Sequence, residues 1–174
     1  MDRNKYILVF LLIVVTSFSN VLLANIPNFS PIASVALFSG FYLSNKKVAI
    51  IIPIACMLIS DYFIGFHSLM WAVYLSFSAI VMLGFFMKKA NGKLIILNSI
   101  FSAVLFFIVT NFAVWATGSF YPKDLTGLLS CFTMGIPFFK YTLLSAIIFS
   151  LILFGGYEWL NQLVNKYLKA TKRT

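Results

Sequence analysis

The sequence is short of charge, and shortest of acid. Across 174 residues, 13 Lys and Arg stand against 4 Asp and Glu, and charged residues make up 10% of the chain. An ordinary soluble domain carries roughly 25%. So few charges could not cover a water-exposed surface of this size, which excludes a typical soluble domain. There is one His and there are two Cys. That excludes a disulfide framework and any Cys–His metal motif. The chain has no phosphate-cradling glycine loop, no G-x-S-x-G element and no pair of carboxylates on one helix. It is therefore not expected to be an enzyme, to hold a metal or cofactor, or to use ATP by itself. Internal repeats, low-complexity tracts and a soluble domain are also absent, so residues 1–174 read as one integral membrane domain.

What is present is apolar. Hydrophobic residues reach 61%, with 20 Phe, 8 Tyr and 3 Trp, against roughly 45–50% hydrophobic in an average domain. This excludes a disordered chain, which would be polar and poor in aromatics. The net charge of +9 does not point to nucleic acid, because the cations sit in short clusters between apolar runs rather than on one face. The pattern is that of an all-α, multi-pass membrane protein whose cations mark one side.

A helical span takes about 20 residues. The runs that fit are about 6–24, 31–43, 48–64, 69–87, 94–117 and 141–160. The first follows Arg3 and Lys5 but lacks a small-residue cleavage site close behind it, so it reads as a retained helix rather than a signal peptide. The second is short for a bilayer. The polar stretch Asn25–Ser30 before it is expected to dip into the protein and supply the missing depth. Pro53 is an expected kink. Leu125–Phe139 is apolar but interrupted by Gly127, Gly135 and Pro137, and reads as a short extra helix over the bundle mouth between the fifth and sixth spans.

Cation placement tests this count. Six spans with both termini cytoplasmic put Arg3, Lys5, Lys46, Lys47, Lys88, Lys89, Lys93, Lys166, Lys169, Lys172 and Arg173 inside, and only Lys123 and Lys140 outside. Without a span at Pro31–Leu43 the best split falls to 9 inside and 4 outside. The bias of Lys and Arg toward the cytoplasm favours six spans.

In so apolar a chain the few polar residues are informative. In the six-span arrangement Asn28, Asp61, His67, Trp71, Tyr74, Asn111, Trp115 and Tyr121 all fall on the outer side. Together they read as an aromatic-walled site with polar anchors for a small organic ligand. Each has a plainer reading too. Trp and Tyr gather at any membrane interface, Asp61 can brace a loop, His67 can be a surface residue, and Asn111 can bond between helices. Cys131 is a candidate soft ligand, for instance toward the metal of a corrinoid. Ala33, Ala36 and Gly40 form a strip of small residues that suits close helix packing or the docking of a partner subunit.

Several motifs together carry a resemblance: Asn28-Phe-Ser-Pro31, Ala36-Leu-Phe-Ser-Gly40, Ser60-Asp61, Phe66-His67 with Met70-Trp-Ala-Val-Tyr74, Thr110-Asn-Phe-Ala-Val-Trp115, Tyr121-Pro122, Gly127-Leu-Leu-Ser-Cys131, Pro137-Phe-Phe139 and Leu153-Phe-Gly155. Over about residues 6–157 the chain resembles a family of small bacterial inner-membrane proteins similar to the substrate-binding (S) components of energy-coupling factor (ECF) vitamin transporters. The resemblance implies a six-helix bundle that captures a vitamin-like molecule from outside, with a cobalamin-type ligand first and Cys131 near its cobalt. It also implies docking on a shared ECF-type transmembrane subunit driven by ATPases, for which Ala33, Ala36 and Gly40 are the candidate contacts. The alternative is a membrane interaction or assembly protein without transport activity.

Overall fold

The computed structural model describes residues 3–171, with only some of the side chains in the first and last helical stretches. The side chains of Arg3, Lys5 and Lys169, and all of Lys172 and Arg173, lie outside the described residues. The described chain is all α, with six helices: α1 (Arg3–Leu22), α2 (Ile32–Tyr42), α3 (Lys46–Ile64), α4 (Met70–Phe86), α5 (Gly92–Thr117) and α6 (Leu125–Thr171).

The apolar runs become helices because a helix satisfies its own backbone, and the breaks before α3 and α5 carry capping residues. Asn45 accepts the Lys47 and Val48 amides at 3.1 and 3.3 Å, and Asn91 accepts the Leu94 amide at 2.9 Å, which closes the N-termini of α3 and α5. Gly65, with φ of 120°, ends α3, a conformation that L side chains rarely adopt.

α2 is apolar on every side, and the bundle is built around it. Every residue from Ile32 to Gly40 is buried, as expected of a helix without a polar face. Two glycines let α2 meet α4 backbone to backbone. A Cβ on Gly84 would stand 2.5 Å from the Leu37 carbonyl oxygen and 3.0 Å from Gly40 Cα, and one on Gly40 would collide with the Val81 carbonyl. Ala33, Ala36 and Gly40 are thus covered by the chain's own helices, at 6% exposure or less for the two alanines. These expected docking contacts lie among packed side chains of the bundle rather than on an open strip.

α2 also repairs a defect in α3. Pro53 sits inside α3 and has no N–H to give the Ala49 carbonyl. The buried Ser39 hydroxyl lies 2.9 Å from that carbonyl and 3.0 Å from the Ala36 carbonyl, so its one hydrogen can serve the freed Ala49 oxygen without water.

One correction concerns Leu125–Phe139. It is not a separate helix but the first part of α6, which runs unbroken for 47 residues with Pro137 inside it. The two glycines that suggested breaks are close-contact positions. A Cβ at Gly135 would lie 2.5 Å from Asn111 Oδ1 and 2.8 Å from the Phe107 ring, and one at Gly127 would strike the Pro122 carbonyl. Close packing against α5 at Gly135 and against the α5–α6 loop at Gly127 leaves room only for glycine, and the helix runs on through both. Lys140, expected in an outer loop, is an exposed helical residue with its Nζ 4.8 Å from the Tyr141 ring centroid. At ~1.5 Å per residue, α6 is about 70 Å long, more than twice a hydrocarbon core of ~30 Å.

Three of the described helices, α3, α5 and the 42 residues Leu125–Lys166 of α6, are long and apolar enough to cross a membrane. Their outward faces are apolar: Ile51, Phe63 and Phe101 are 61%, 68% and 54% exposed. Water would not tolerate a patch of that extent, whereas lipid would.

Candidate functional site

The helix ends sort into two groups. At one end of the bundle, the C-terminus of α2 meets α6 in a block of rings. Phe38 packs edge-on against Phe154 at 5.2 Å, and Tyr42 lies 4.2 Å from Tyr157. Tyr42 donates its hydroxyl to Glu158 Oε1 at 2.6 Å. Lys46, opening α3, places its Nζ 5.6 Å from the Phe85 ring centroid at the end of α4. This end is solid.

The other end is hollow. The C-termini of α1, α3 and α5, the N-termini of α2 and α4, and the middle of α6 surround a cavity of about 420 Å³. Its apolar wall includes Phe29, Met57, Phe77, Phe106, Val114 and Phe138. Phe77 and Phe106 are stacked at 5.3 Å. Its polar wall is Asn20, Asn28, Ser30, Asp61, His67, Thr110, Asn111, Thr142 and Ser145. The segment 25–30 forms part of the rim: Asn28 takes a left-handed φ of 60°, a conformation asparagine tolerates better than most residues. Ser30 reaches back to donate to Asn20 Oδ1 at 2.6 Å.

Asp61 is the carboxyl anchor of this cavity. It sits in the last turn of α3 at 3% exposure, where its Oδ2 accepts the Tyr74 hydroxyl at 2.6 Å. Asn111 donates its amide to the Phe107 carbonyl at 2.8 Å. His67 stands exposed at the mouth. Among the described residues no group of three His, Cys, Asp or Glu could hold a metal ion.

Four of the residues expected from the sequence therefore line the cavity: Asn28, Asp61, His67 and Asn111. Tyr74 stands behind Asp61 and reaches the site only through it. The others do not line it. Trp71 is 52% exposed on the outside of α4. Trp115 donates its indole N–H to the Pro122 carbonyl at 2.9 Å and so ties the α5–α6 loop, in which Tyr121 is half-buried. Cys131 is buried at 2% exposure on the α5–α6 seam, its thiol 3.4 Å from the Asn111 carbonyl, and it does not face the cavity. Its neighbour loop is held by Lys123, whose ammonium donates to the Trp115 and Gly118 carbonyls at the end of α5. Asp124 caps α6, its Oδ1 accepting the Gly127 amide at 2.8 Å and the Thr126 hydroxyl at 2.7 Å. These bonds hold its carboxyl below the usual carboxylate range.

The sequence reading missed Asn20, Ser30, Thr110, Thr142 and Ser145. A signal was there for two of them: Thr142 and Ser145 lie three apart on α6, on one face of an otherwise apolar stretch. A second hollow of about 300 Å³ between α1 and α3 is lined by Val14, Phe18, Val21, Cys56, Ile59 and Phe63. It offers no polar side chain to orient a ligand.

In comparison with known proteins, a family of unknown function (DUF6580) matches residues 1–169, and the chain belongs to that family. No curated protein and no solved structure matches it.

Proposed function

We propose that this member of DUF6580 is a six-span membrane protein, with both termini cytoplasmic, that captures a small organic molecule from the outer side for uptake. The observation that carries the reading is the asymmetry of the bundle. A cavity of about 420 Å³ with polar anchors occupies one end, and packed rings from Phe38, Tyr42, Phe154 and Tyr157 fill the other. A cavity open at one end exchanges its contents with one compartment only, which is what a capture protein requires.

The cations supply the direction. Lys46 and Lys47 open α3, and Lys88, Lys89 and Lys93 lie in and beside the connection of α4 to α5, all at the filled end. The preference of Lys for the cytoplasmic side turns the cavity mouth outward. The sequence resemblance to S components of ECF vitamin transporters supports the same direction of capture, with a transmembrane subunit and ATPases as partners in a bacterial inner membrane.

The size of the cavity bears on the ligand. A cavity of about 420 Å³ lies within the range of small-molecule sites. Cys131 lies off it, so a corrinoid held there would not meet that thiol.

The test is binding by the purified full-length protein in detergent, with vitamins and their precursors scanned by thermal shift and calorimetry. A saturable, stabilising ligand supports capture; a folded protein that responds to none of them overturns it. A second reading, an interaction or assembly protein, is favoured by the filled end, which leaves no polar path through the bundle among the described residues. Crosslinked pull-down separates the two: an ATPase-bearing complex supports uptake, and a biosynthetic or secretion complex supports assembly.

A further inference from the structure

We infer that the ligand of this cavity is a protonated amine with an apolar body; the inference rests on the capture reading above and names its substrate class. Three features of the wall point the same way.

The first is charge. Asp61 is nearly sequestered, at 3% exposure, and no Lys or Arg lines the cavity. Its Oδ2 takes one hydrogen bond, from Tyr74. Its Oδ1 receives none from the described residues, although a carboxylate oxygen can accept two. A buried carboxylate without a counter-charge is costly, and within a membrane such groups find a partner. No Lys or Arg of the wall supplies that partner, and His67, the one other titratable group of the lining, stands exposed at the mouth, so a cationic ligand fits beside Asp61. An anionic ligand would instead meet Asp61 with no cation to offset it.

The second is the direction of the wall's hydrogen bonds. Thr110 spends its hydroxyl hydrogen on the Phe106 carbonyl at 2.7 Å, and Ser145 spends its own on the Thr142 carbonyl at 3.0 Å. Ser30 donates to Asn20 Oδ1, and Asn111 donates to the Phe107 carbonyl at 2.8 Å. With these hydrogens committed to the protein, the hydroxyl oxygens of Thr110 and Ser145 are left as acceptors beside the Asp61 carboxyl, while the Asn20 and Asn28 amides keep their N–H donors. An ammonium group, with three N–H donors and no lone pair, can use those acceptors.

The third is the ring content. Phe29, Phe77, Phe106 and Phe138 face the same space. Phenyl faces attract a desolvated cation and also cover an apolar body, a combination that a carboxylate or phosphate ligand would not use.

The experiment has two arms, both on the full-length protein in detergent at constant sodium. The first needs no ligand. Asp61→Asn keeps an acceptor for Tyr74 and removes the unpaired charge, so its melting temperature should rise by roughly 2–4 °C, the shift expected per kcal/mol at this size. The second arm titrates three probes of one shape and different charge: 2-phenylethylammonium, 2-phenylethanol and 3-phenylpropanoate. The ammonium should bind at least tenfold more tightly than the other two, and Asp61→Asn should abolish the preference. An unchanged or lowered melting temperature in Asp61→Asn overturns the inference. So does equal or tighter binding of the alcohol or the carboxylate, an outcome that leaves the capture reading standing. A folded protein that binds none of the three probes, and none of the vitamins above, removes the capture reading itself.

Discussion

At the filled end Tyr42 donates to Glu158 at 2.6 Å, and at the hollow end Tyr74 donates to Asp61 at 2.6 Å. The same two functional groups meet at the same distance, yet one end is solid and the other holds a cavity. What differs is the neighbourhood. Tyr42 lies among Phe38, Phe41, Phe154 and Tyr157, with ring centroids 4.2–5.6 Å away. Asp61 lies beside a space ringed by side chains from all six helices. The polar pair ties two helices together at either end; the rings decide whether the end is closed. The largest effect of a substitution is expected at the filled end.

Phe154 is fully buried, with Phe38, Phe41 and Tyr42 around its ring. Truncation of a buried Phe to Ala typically costs about 3–5 kcal/mol, because the neighbours only partly close the hole. Phe154→Ala should therefore melt well below the parent protein. A loss under about 1 kcal/mol would mean that the rings are loosely packed and that the two ends are alike.

Next in size is the α2–α4 contact on which both ends hang. Gly84→Ala places a methyl 2.5 Å from the Leu37 carbonyl oxygen, a backbone atom that cannot swing aside. The helices must part, at a cost of about 1–3 kcal/mol by analogy with other overpacked sites. Gly155→Ala is the control. Its Cβ would meet nothing within 4 Å, so the ordinary helix preference for Ala should leave the protein unchanged or stabilise it by up to ~1 kcal/mol. Thermal melts of the two variants moving in opposite directions would confirm that glycine is required at Gly84 by contact rather than by composition.

The Tyr–carboxylate pairs give the third test. Tyr42→Phe removes a donor from Glu158 and should cost about 1–2 kcal/mol in stability, with binding at the far cavity unaffected. Tyr74→Phe frees Asp61 and should act mainly on binding, weakening the ligand several-fold through loss of the carboxylate's fixed orientation. If both variants change stability alike and neither touches binding, Asp61 is a brace and the hollow end loses its anchor.

How far these contrasts were legible in the sequence depends on the kind of signal. Five of the six runs were bounded within three residues, because lipid-length apolar stretches and flanking cations are strong, additive signals. The 11-residue α2 was legible as an apolar run in spite of its short length. Asp61 and Asn111 stood out as isolated polar groups. The continuity of α6 was not legible, because Pro137, Gly127 and Gly135 look the same whether they break a helix or admit a close neighbour. The difference lies in α5 side chains such as Asn111 and Phe107, 24 and 28 residues earlier than Gly135 in the chain. Ala33, Ala36 and Gly40 carried the same ambiguity: small residues permit close approach but do not name the partner, and at Gly40 the partner is α4. Thr142 and Ser145 were overlooked because a hydroxyl in an apolar helix usually bonds its own backbone, as both do, while its oxygen can still face a ligand.

The smallest effect is expected outside both ends, in the loop that joins α5 to α6. Asp124 is fully exposed, and its carboxyl accepts the Gly127 amide and the Thr126 hydroxyl. Those bonds favour the charged form and lower its pKa in the folded protein. For a group lowered on folding, the stabilisation is complete above the unfolded value, about 4 for Asp, and is lost as pH falls through the folded value. Asn also serves as a helix cap but does not titrate. The difference in melting temperature between the parent and Asp124→Asn should therefore stay constant from neutral pH down to about 5 and narrow below about 4. A difference that keeps its size in acid would show that the cap acts through its hydrogen bonds alone. Either way the cavity should bind its ligand unchanged, because Asp124 does not line it, and a change in binding would mean that the loop between α5 and α6 belongs to the hollow end after all.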